Sequence, residues 1–458
     1  MYGVNLLDND YFYKQFSPMH VSENMKLYTL FLQHPIICTD SRVCPDGSLF
    51  FALKGDNFNA NAFALSALEK GCSFAVIDEA KFAIDDRFIV VENVLESLQQ
   101  LAAHHRKQLG TKIIGITGTN GKTTTKELIA AVLKEKYAVL FTQGNLNNHI
   151  GVPLTLLQLT PKHQIAVIEM GANHPGEIRL LCGMACPDYG IITNVGKAHL
   201  EGFGSLEGVM KTKAELYDYI STFGKLIFIN TGNSLLQTMA TSSGMVQPDK
   251  RTGYSLQKED KNAEYFAEVI DCSPFLHLKW SRKRSGSEEI KTHLIGAYNA
   301  ENVLAAITIG AYFGVTNQQI KNGLENYIPQ NNRSQLTVTE QNKLVVDAYN
   351  ANPTSMRAAV LNFAQMEVAE KTLILGDMLE LGNQSEEEHQ NIVKLLQQNS
   401  FKNVLLVGQE FKKTRNSFHN FENVSELIDY VTKNPLRNNY ILIKGSRGIK
   451  LERVLSFL

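Results

Sequence analysis

Residues 115–125 read Gly-Ile-Thr-Gly-Thr-Asn-Gly-Lys-Thr-Thr-Thr, between an apolar run with Ile113, Ile114 and Ile116 and a helical pattern carried by Leu128, Ile129, Val132 and Leu133. Glycines at 118 and 121 let the backbone curl so that successive N–H groups point inward. Lys122 adds a mobile cation, and Thr123 offers a hydroxyl to a magnesium ion at a helix N-terminus. This is the pattern of a phosphate-binding loop, and it predicts a nucleoside triphosphate as ligand. One position departs from the usual spacing, because Ile116 stands where a glycine is common. A Gly-rich turn with a purely structural role is the alternative; Gly-Lys-Thr-Thr between strand and helix argues against it.

Further residues fall where they can converge on that ligand. In open parallel sheets ligands bind beyond the C-terminal ends of the strands. Glu169 ends one apolar strand, and His199 follows another in Asn-Val-Gly-Lys-Ala-His-Leu-Glu-Gly-Phe-Gly. Lys213 lies on a helical pattern from Leu206 to Ile220, within Lys-Thr-Lys-Ala-Glu. Taken singly, a Glu or His after a strand is more often structural, and a Lys on an amphipathic helix reads as a solvated face.

The elements that must position these groups form three α/β blocks. From Met25 to about His105, strands at Leu49–Leu53 and Phe74–Ile77 alternate with short helices. The second block alternates strands Ile113–Thr117, Ile165–Met170, Tyr189–Asn194 and Leu226–Asn230 with amphipathic helices, the layout of a parallel sheet covered on both faces. Near its end, Tyr265–Trp280 alternates in period two and runs into Lys279-Trp280-Ser281-Arg282-Lys283-Arg284, which reads as a charged hairpin tip rather than a nucleic-acid contact. The third block starts near Asn331, with strands at Leu344–Val346, Leu373–Leu375, Val404–Val407 and Ile441–Ile443. It has a dinucleotide-binding layout without the G-x-G-x-x-G fingerprint, so layout alone does not license a nicotinamide cofactor. The expected domains are 1–106, 107–330 and 331–458, with 1–20 as a weakly patterned extension and Met19 or Met25 as alternative starts.

Composition narrows the function classes. The 458 residues are 44% hydrophobic, enough for about three packed cores. Lys plus Arg (45) nearly balance Asp plus Glu (46), so no global field recruits nucleic acid or an anionic membrane. Six cysteines without paired C-x2-C motifs support neither a disulfide framework nor a structural zinc site, and Cys182 and Cys186, four apart, read as packing. No signal segment and no run of about 18 apolar residues is present, which predicts a cytoplasmic protein with no membrane span.

Several longer motifs occur in order: Gly-Thr-Asn-Gly-Lys-Thr-Thr (118–124), Asn-Asn-His-Ile-Gly-Val-Pro-Leu-Thr-Leu-Leu (147–157), Glu-Met-Gly-Ala-Asn-His-Pro-Gly-Glu-Ile (169–178) and the segment 194–205. Gly-Ala-Tyr-Asn-Ala-Glu-Asn (296–302), Asp-Ala-Tyr-Asn-Ala-Asn-Pro (347–353) and Leu-Gly-Asp-Met-Leu-Glu-Leu-Gly (375–382) follow. With these motifs, from Thr39 to Gly448, the chain resembles the Mur ligases of peptidoglycan synthesis, and among them the type that adds D-alanyl-D-alanine. The resemblance implies an ATP-dependent ligase joining D-alanyl-D-alanine to the terminal carboxylate of UDP-N-acetylmuramoyl-tripeptide through an acyl phosphate. It implies three α/β domains: a small N-terminal one gripping the UDP-muramyl peptide, a central ATPase, and a C-terminal Rossmann-like domain that closes over ATP and binds the dipeptide.

By the same resemblance Gly118, Thr119, Asn120, Gly121, Lys122, Thr123 and Thr124 hold the triphosphate, with Asn299, Asn302, Arg333 and Asp347 also on the nucleotide. Thr123 and Glu169 bind one magnesium ion and His199 a second, joined by Lys213 as a carbamate formed with carbon dioxide; Lys122, His199 and Lys213 are the catalytic set. Ser41, Arg42, Asn147, Asn148, Tyr349, Asn350 and Asn352 face the UDP-muramyl tripeptide and the dipeptide. A monomer is expected. Tyr298 stands where many relatives carry His, and residues 56–63 lack the Asp-Gly-His common among them.

Overall fold

Apolar runs bounded by Gly, Asn and Thr become buried strands, and the helices between them cover the sheets. The structure, a computed structural model, describes residues 21–458 apart from 243–245, 331 and 369. The extension expected at residues 1–20 lies outside the described residues. The chain divides into two compact units, and the division falls inside the central block.

The first unit comprises the described residues up to Gly115 together with Ala138–Ala172 and Gly176–Tyr189. Its four-stranded sheet runs in the order Ile37–Cys38, Leu49–Phe51, Phe74–Ile77, Phe88–Val90, all parallel. Phe50, Ala64, Ile77 and Phe88 pack with Cys38 and Cys72 into one core. Asn93 caps the helix Val94–Gln108 by accepting the Glu96 N–H at 3.1 Å, and Leu98, Leu101, Ala102 and His105 form its buried face. Arg106 on this helix donates to the carbonyls of Ala185 at 3.0 Å and Cys186 at 3.2 Å, satisfying the end of the helix Glu177–Ala185. Val139–Phe141 and Ile165–Glu169 pair in parallel in the same unit.

The second unit comprises Ile116–Tyr137, Asn173–Pro175 and Gly190–Leu458. Leu226–Asn230, Arg251–Ser255 and Tyr265–Asp271 pair in parallel, and His277–Arg282 and Ser287–Lys291 complete an antiparallel meander. Trp280 is buried opposite Ala267, and Arg282 pairs with Glu264 at 2.6 Å. The basic tract therefore turns its aromatic ring inward and spends one cation on a neighbouring carboxylate. The helix Ala300–Tyr312 lies against Lys122–Lys134 so closely that a Cβ on Gly310 would meet Val132 at 2.3 Å.

The six-stranded sheet follows the order Gln335–Val338, Lys343–Asp347, Asn439–Lys444, Glu370–Gly376, Asn403–Val407, His419–Phe421, with only the first strand antiparallel. Successive side chains alternate between faces: Val345, Leu373, Leu375 and Leu442 join one core, and Leu344, Val346, Ile374 and Ile443 the other. Helices Pro353–Gln365 and Ser385–Gln398 cover the first face, and Val424–Lys433 the second. Among the described residues no helix is long and apolar enough to cross a membrane.

Candidate active site

The loop 118–121 leaves the strand Lys112–Thr117 and enters the helix Lys122–Lys134, as its spacing predicts. Gly118 and Gly121 hold φ values of 141° and 77°. A Cβ on Gly118 would sit 2.1 Å from Thr193 Oγ1, and one on Gly121 would sit 2.6 Å from Asn302 Oδ1, so glycine is required by space as well as by backbone angle.

The segment after the strand Tyr189–Ile192 fastens the loop. The Thr119 N–H donates to the Asn194 carbonyl at 2.9 Å and the Asn120 N–H to Asn194 Oδ1 at 2.9 Å. Thr193 Oγ1 and Asn194 Nδ2 donate back to the Asn120 carbonyl at 2.6 and 3.0 Å. The predicted strand to Asn194 thus stops at Ile192, because Thr193 and Asn194 turn their polar groups to the loop. Asn194 was legible only as a member of its motif; this role needed the fold.

Lys122 Nζ donates to the carbonyls of Gly118 at 2.8 Å and Thr119 at 3.0 Å, so its cation is stored against the loop. Thr123 and Thr124 are buried at the first turn. Asn302 accepts from Thr125 Oγ1 at 3.0 Å and donates to Asn299 Oδ1 at 2.8 Å, and Asn299 donates to the Ile295 carbonyl at 2.8 Å and Ser334 Oγ at 3.2 Å. Asn299 and Asn302, expected on the nucleotide, therefore also brace the loop helix. Tyr298 shares a hydrogen bond with Ser334 Oγ at 3.0 Å.

The segment 347–352 reaches the same loop. Asn352 Nδ2 donates to Asn120 Oδ1 at 2.7 Å, while Asn352 Oδ1 caps the helix Pro353–Gln365 by accepting the Ser355 N–H at 2.9 Å. Asn350 Oδ1 accepts its neighbour's Ala351 N–H at 2.9 Å. Lys444, 2% exposed at its side chain, donates to Asp347 Oδ2 at 2.6 Å and to the Asn350 carbonyl at 3.2 Å. The guanidinium of Arg333 stacks 3.8 Å from the centre of the Tyr349 ring.

His199 and Glu380 both hold left-handed backbone angles, φ 50° and 65°, and His199 Nδ1 meets Glu380 Oε2 at 2.5 Å. That hydrogen bond keeps the Glu380 carboxyl below its ordinary range. Strain of this kind in non-glycine residues collects at functional sites. Lys213, 3% exposed on the helix Leu206–Phe223, places Nζ 5.5 Å from the centre of the Phe203 ring, and the His199 ring lies 6.4 Å from that same centre. The solvated-face reading of Lys213 is therefore ruled out by its burial.

Asp377 and His389, which the sequence reading did not single out, anchor the backbone around them. Asp377 accepts the N–H groups of Glu410 and Phe411, each at 2.9 Å, and His389 Nε2 accepts the Met378 N–H at 3.0 Å while Nδ1 donates to the Ser385 carbonyl at 2.7 Å. Together they fix the turn that carries Glu380.

In the first unit, Glu169 is 1% exposed; its Oε1 accepts from Asn147 Nδ2 at 2.8 Å, and its N–H is held by Thr142 Oγ1 at 3.0 Å. Asn148 Oδ1 accepts the N–H groups of Ile150 and Gly151 at 3.1 and 2.9 Å, which holds the turn leading into the helix Gly151–Leu156. Arg42 is exposed on its loop and forms a forked pair with Asp40, at 2.9 and 2.7 Å, which holds the Asp40 carboxyl down at about 2. The Ser41 carbonyl accepts from Lys70 Nζ at 2.7 Å.

The second unit's loop fits a triphosphate: a glycine cradle that any Cβ would fill, a helix N-terminus behind it, and an ammonium stored on the rim. Hydroxyl and carboxylate oxygens are donors for magnesium, whereas the His199 imidazole offers a nitrogen, which that hard ion takes less readily. An ammonium offers a cation no lone pair, so Lys213 fits a metal only as its carbamate.

Residues 116–310 match the Mur ligase middle domain, and residues 332–447 match the Mur ligase, glutamate ligase domain. The UDP-N-acetylmuramoyl-tripeptide--D-alanyl-D-alanine ligase of Bacillus subtilis is 34% identical over 440 residues, spanning 92% of this chain and 92% of its own length. The ligase of the same name from Escherichia coli is 34% identical over 428 residues, 92% of this chain and 93% of its own. Among solved structures, MurF from Acinetobacter baumannii aligns with a TM-score of 0.82 at 29% identity, covering 94% of this chain and 97% of that one. MurF from Thermotoga maritima in complex with ADP aligns with a TM-score of 0.80 at 25% identity, covering 93% and 97%. With ordered motifs, fold and full-length likeness in agreement, the chain belongs to the Mur ligase family, MurF type.

Proposed function

We propose that the protein joins D-alanyl-D-alanine to the terminal carboxylate of UDP-N-acetylmuramoyl-tripeptide at the expense of ATP, giving the pentapeptide precursor of peptidoglycan, ADP and phosphate. The observation that carries this reading is 34% identity over 92% of the chain to ligases of that name. The domain limits we propose are 1–106, 107–330 and 331–458, and the protein acts as a cytoplasmic monomer.

A carboxylate does not acylate an amine at neutral pH, because oxide is too poor a leaving group. ATP with magnesium supplies a phosphoryl group to that carboxylate, and phosphate then departs readily when the amine attacks the acyl carbon. The protein's contribution is positioning and electrostatics. Lys122 moves from the Gly118 and Thr119 carbonyls to the phosphoryl oxygens where negative charge develops. Gly118, Gly121 and Thr124 present loop and helix N–H groups to the phosphates, while Thr119 and Asn120, whose own N–H groups are tied to Asn194, complete the loop around them; Asn299, Asn302, Arg333 and Asp347 set the nucleotide.

Thr123, Glu169, His199 and Lys213 as its carbamate would hold magnesium, which would neutralise charge on the phosphoryl oxygens, and His199 would give up Glu380 in that role. Ser41, Arg42, Asn147 and Asn148 grip the nucleotide-sugar substrate. Tyr349, Asn350 and Asn352 bond the amide and far carboxylate of the dipeptide, and the C-terminal domain shields the activated carboxylate from water.

The test is kcat/KM for D-alanyl-D-alanine, D-alanine, L-lysine and meso-diaminopimelate, read by coupled phosphate release. D-Alanine leaves buried polar groups unpaired and should lose up to about four orders of magnitude. A single amino acid as the better acceptor would overturn the dipeptide assignment; phosphate release without any acceptor would overturn ligation itself.

A further inference from the structure

Cys38 and Cys44 flank one short loop and Cys72 lies far along the chain from both, yet their sulfur atoms all lie within 4.8 Å of one another. Among the described residues no other group of three His, Cys, Asp or Glu side chains converges so closely. Cys38 ends the strand Ile37–Cys38, Cys44 lies in the following loop, and Cys72 precedes the strand Phe74–Ile77.

Three contacts hold that loop on the Cys72 turn. The Gly47 N–H donates to the Gly71 carbonyl at 2.8 Å, the Ser73 N–H to the Ser48 carbonyl at 2.8 Å, and Lys70 Nζ to the Ser41 carbonyl at 2.7 Å. Cys38 and Cys72 are each 4% exposed, while Cys44 is half-buried.

We propose that these three thiols form a binding site for a thiophilic metal ion of the Zn2+ class, with water as the fourth ligand on the side of Cys44. Zinc–sulfur bonds of about 2.3 Å in a tetrahedron set sulfur atoms about 3.8 Å apart, so the cluster needs to contract by about 1 Å at most. Loading removes one proton from each thiol, passes it to solvent, and forms three thiolate–metal bonds; no electron is transferred. Simple packing is the competing account, since a cysteine is a good small core residue. It places Cys38 and Cys72 in the core with Phe50, Ala64 and Ile77 and Cys44 against the side of that core, but it does not require all three sulfur atoms to converge on one point.

Loading also acts on the loop. As thiols, Cys38 faces the carbonyls of Asp40 and Val43 at 3.3 and 3.2 Å, and Cys44 faces that of Ser41 at 3.6 Å. A thiolate cannot donate to these carbonyls, so the metal frees the segment 40–43 that carries Ser41 and Arg42.

The experiment uses the full-length, fully reduced protein. Titration with Co2+ should give a near-ultraviolet thiolate-to-cobalt charge-transfer band that saturates at one equivalent and is displaced by Zn2+. Alkylation followed by peptide mapping should show Cys38, Cys44 and Cys72 protected by Zn2+ while Cys186 and Cys272 still react. Cys44→Ser, the least buried of the three, should weaken binding by at least about a hundredfold, above the cost of losing an outer-shell partner. Absence of the band with all thiols reduced, or zinc binding that leaves the three cysteines reactive, would overturn the site; both readouts use the unaltered protein and are independent of ligase activity.

Discussion

Replacing Asp347 by Asn removes the carboxylate that Lys444 Nζ meets at 2.6 Å and leaves an ammonium whose side chain is 2% exposed. With an effective dielectric of about 20, the lost attraction at that distance is about 6 kcal/mol before solvation is counted. Asp347 is 16% exposed, so water reaches the vacated position in part, and the Asn350 carbonyl at 3.2 Å remains as a partner. Breaking a buried pair by deleting one member costs about 3–5 kcal/mol, and this residual solvation places Asp347→Asn at the lower end, about 3 kcal/mol.

The assay is a double-mutant cycle by urea denaturation, followed by circular dichroism, on Asp347→Asn, Lys444→Met and the double variant. The double variant should recover stability to within about 1 kcal/mol, because replacing both charges removes the desolvation penalty as well as the attraction. Ligase activity should not recover with it, since the proposed nucleotide contact is still missing. A single variant as stable as the parent, or a cycle without coupling, would refute the claim that Lys444 depends on this carboxylate.

Lys122→Ala should lower kcat by at least about a hundredfold with an unchanged circular dichroism spectrum, because the lost cation acts mainly as phosphoryl charge develops; near-normal turnover would sink the loop assignment. Lys213→Arg keeps a positive charge but cannot form a carbamate, so it should be nearly inactive, and electron density for a bare ammonium in an active, nucleotide-bound crystal would count against the modification. Burial pushes the His389 imidazole below its ordinary range even though Asp377 and Glu410 pull the other way. The unfolded chain then binds the extra proton more readily, so this contribution to stability is full above about pH 6.5 and is lost as pH falls below it. Urea midpoints between pH 7.5 and 5 should drop less steeply in His389→Asn than in the parent, and equal slopes would show that His389 is not the group responsible.

What could be read from the chain was local. Gly118, Gly121, Lys122 and Thr123 declare a phosphate loop because the turn, the ammonium and the helix start all lie within a few residues. The strands Leu226–Asn230 and Phe74–Ile77 end where the pattern puts them, because a run of apolar side chains buried on both sheet faces leaves few other solutions.

The partners of those residues were decided elsewhere. Nothing near Asn120 indicates that Asn194 and Asn352 hold it, nor does anything near Asp347 point to Lys444, 97 positions away. Asn299 and Asn302 could be assigned to a ligand from their motif, but their bracing of the loop helix depends on how Ala300–Tyr312 packs against Lys122–Lys134. Cys38, Cys44 and Cys72 have no metal-binding spacing and meet only because Ile37–Cys38 and Phe74–Ile77 both pair in parallel with Leu49–Phe51, one on each side, which brings the loop and the turn together. Sequence spacing sets the conformations within one turn or strand, whereas side-chain partners distant in the chain are chosen by strand order and helix packing, which exist only once the whole sheet has formed.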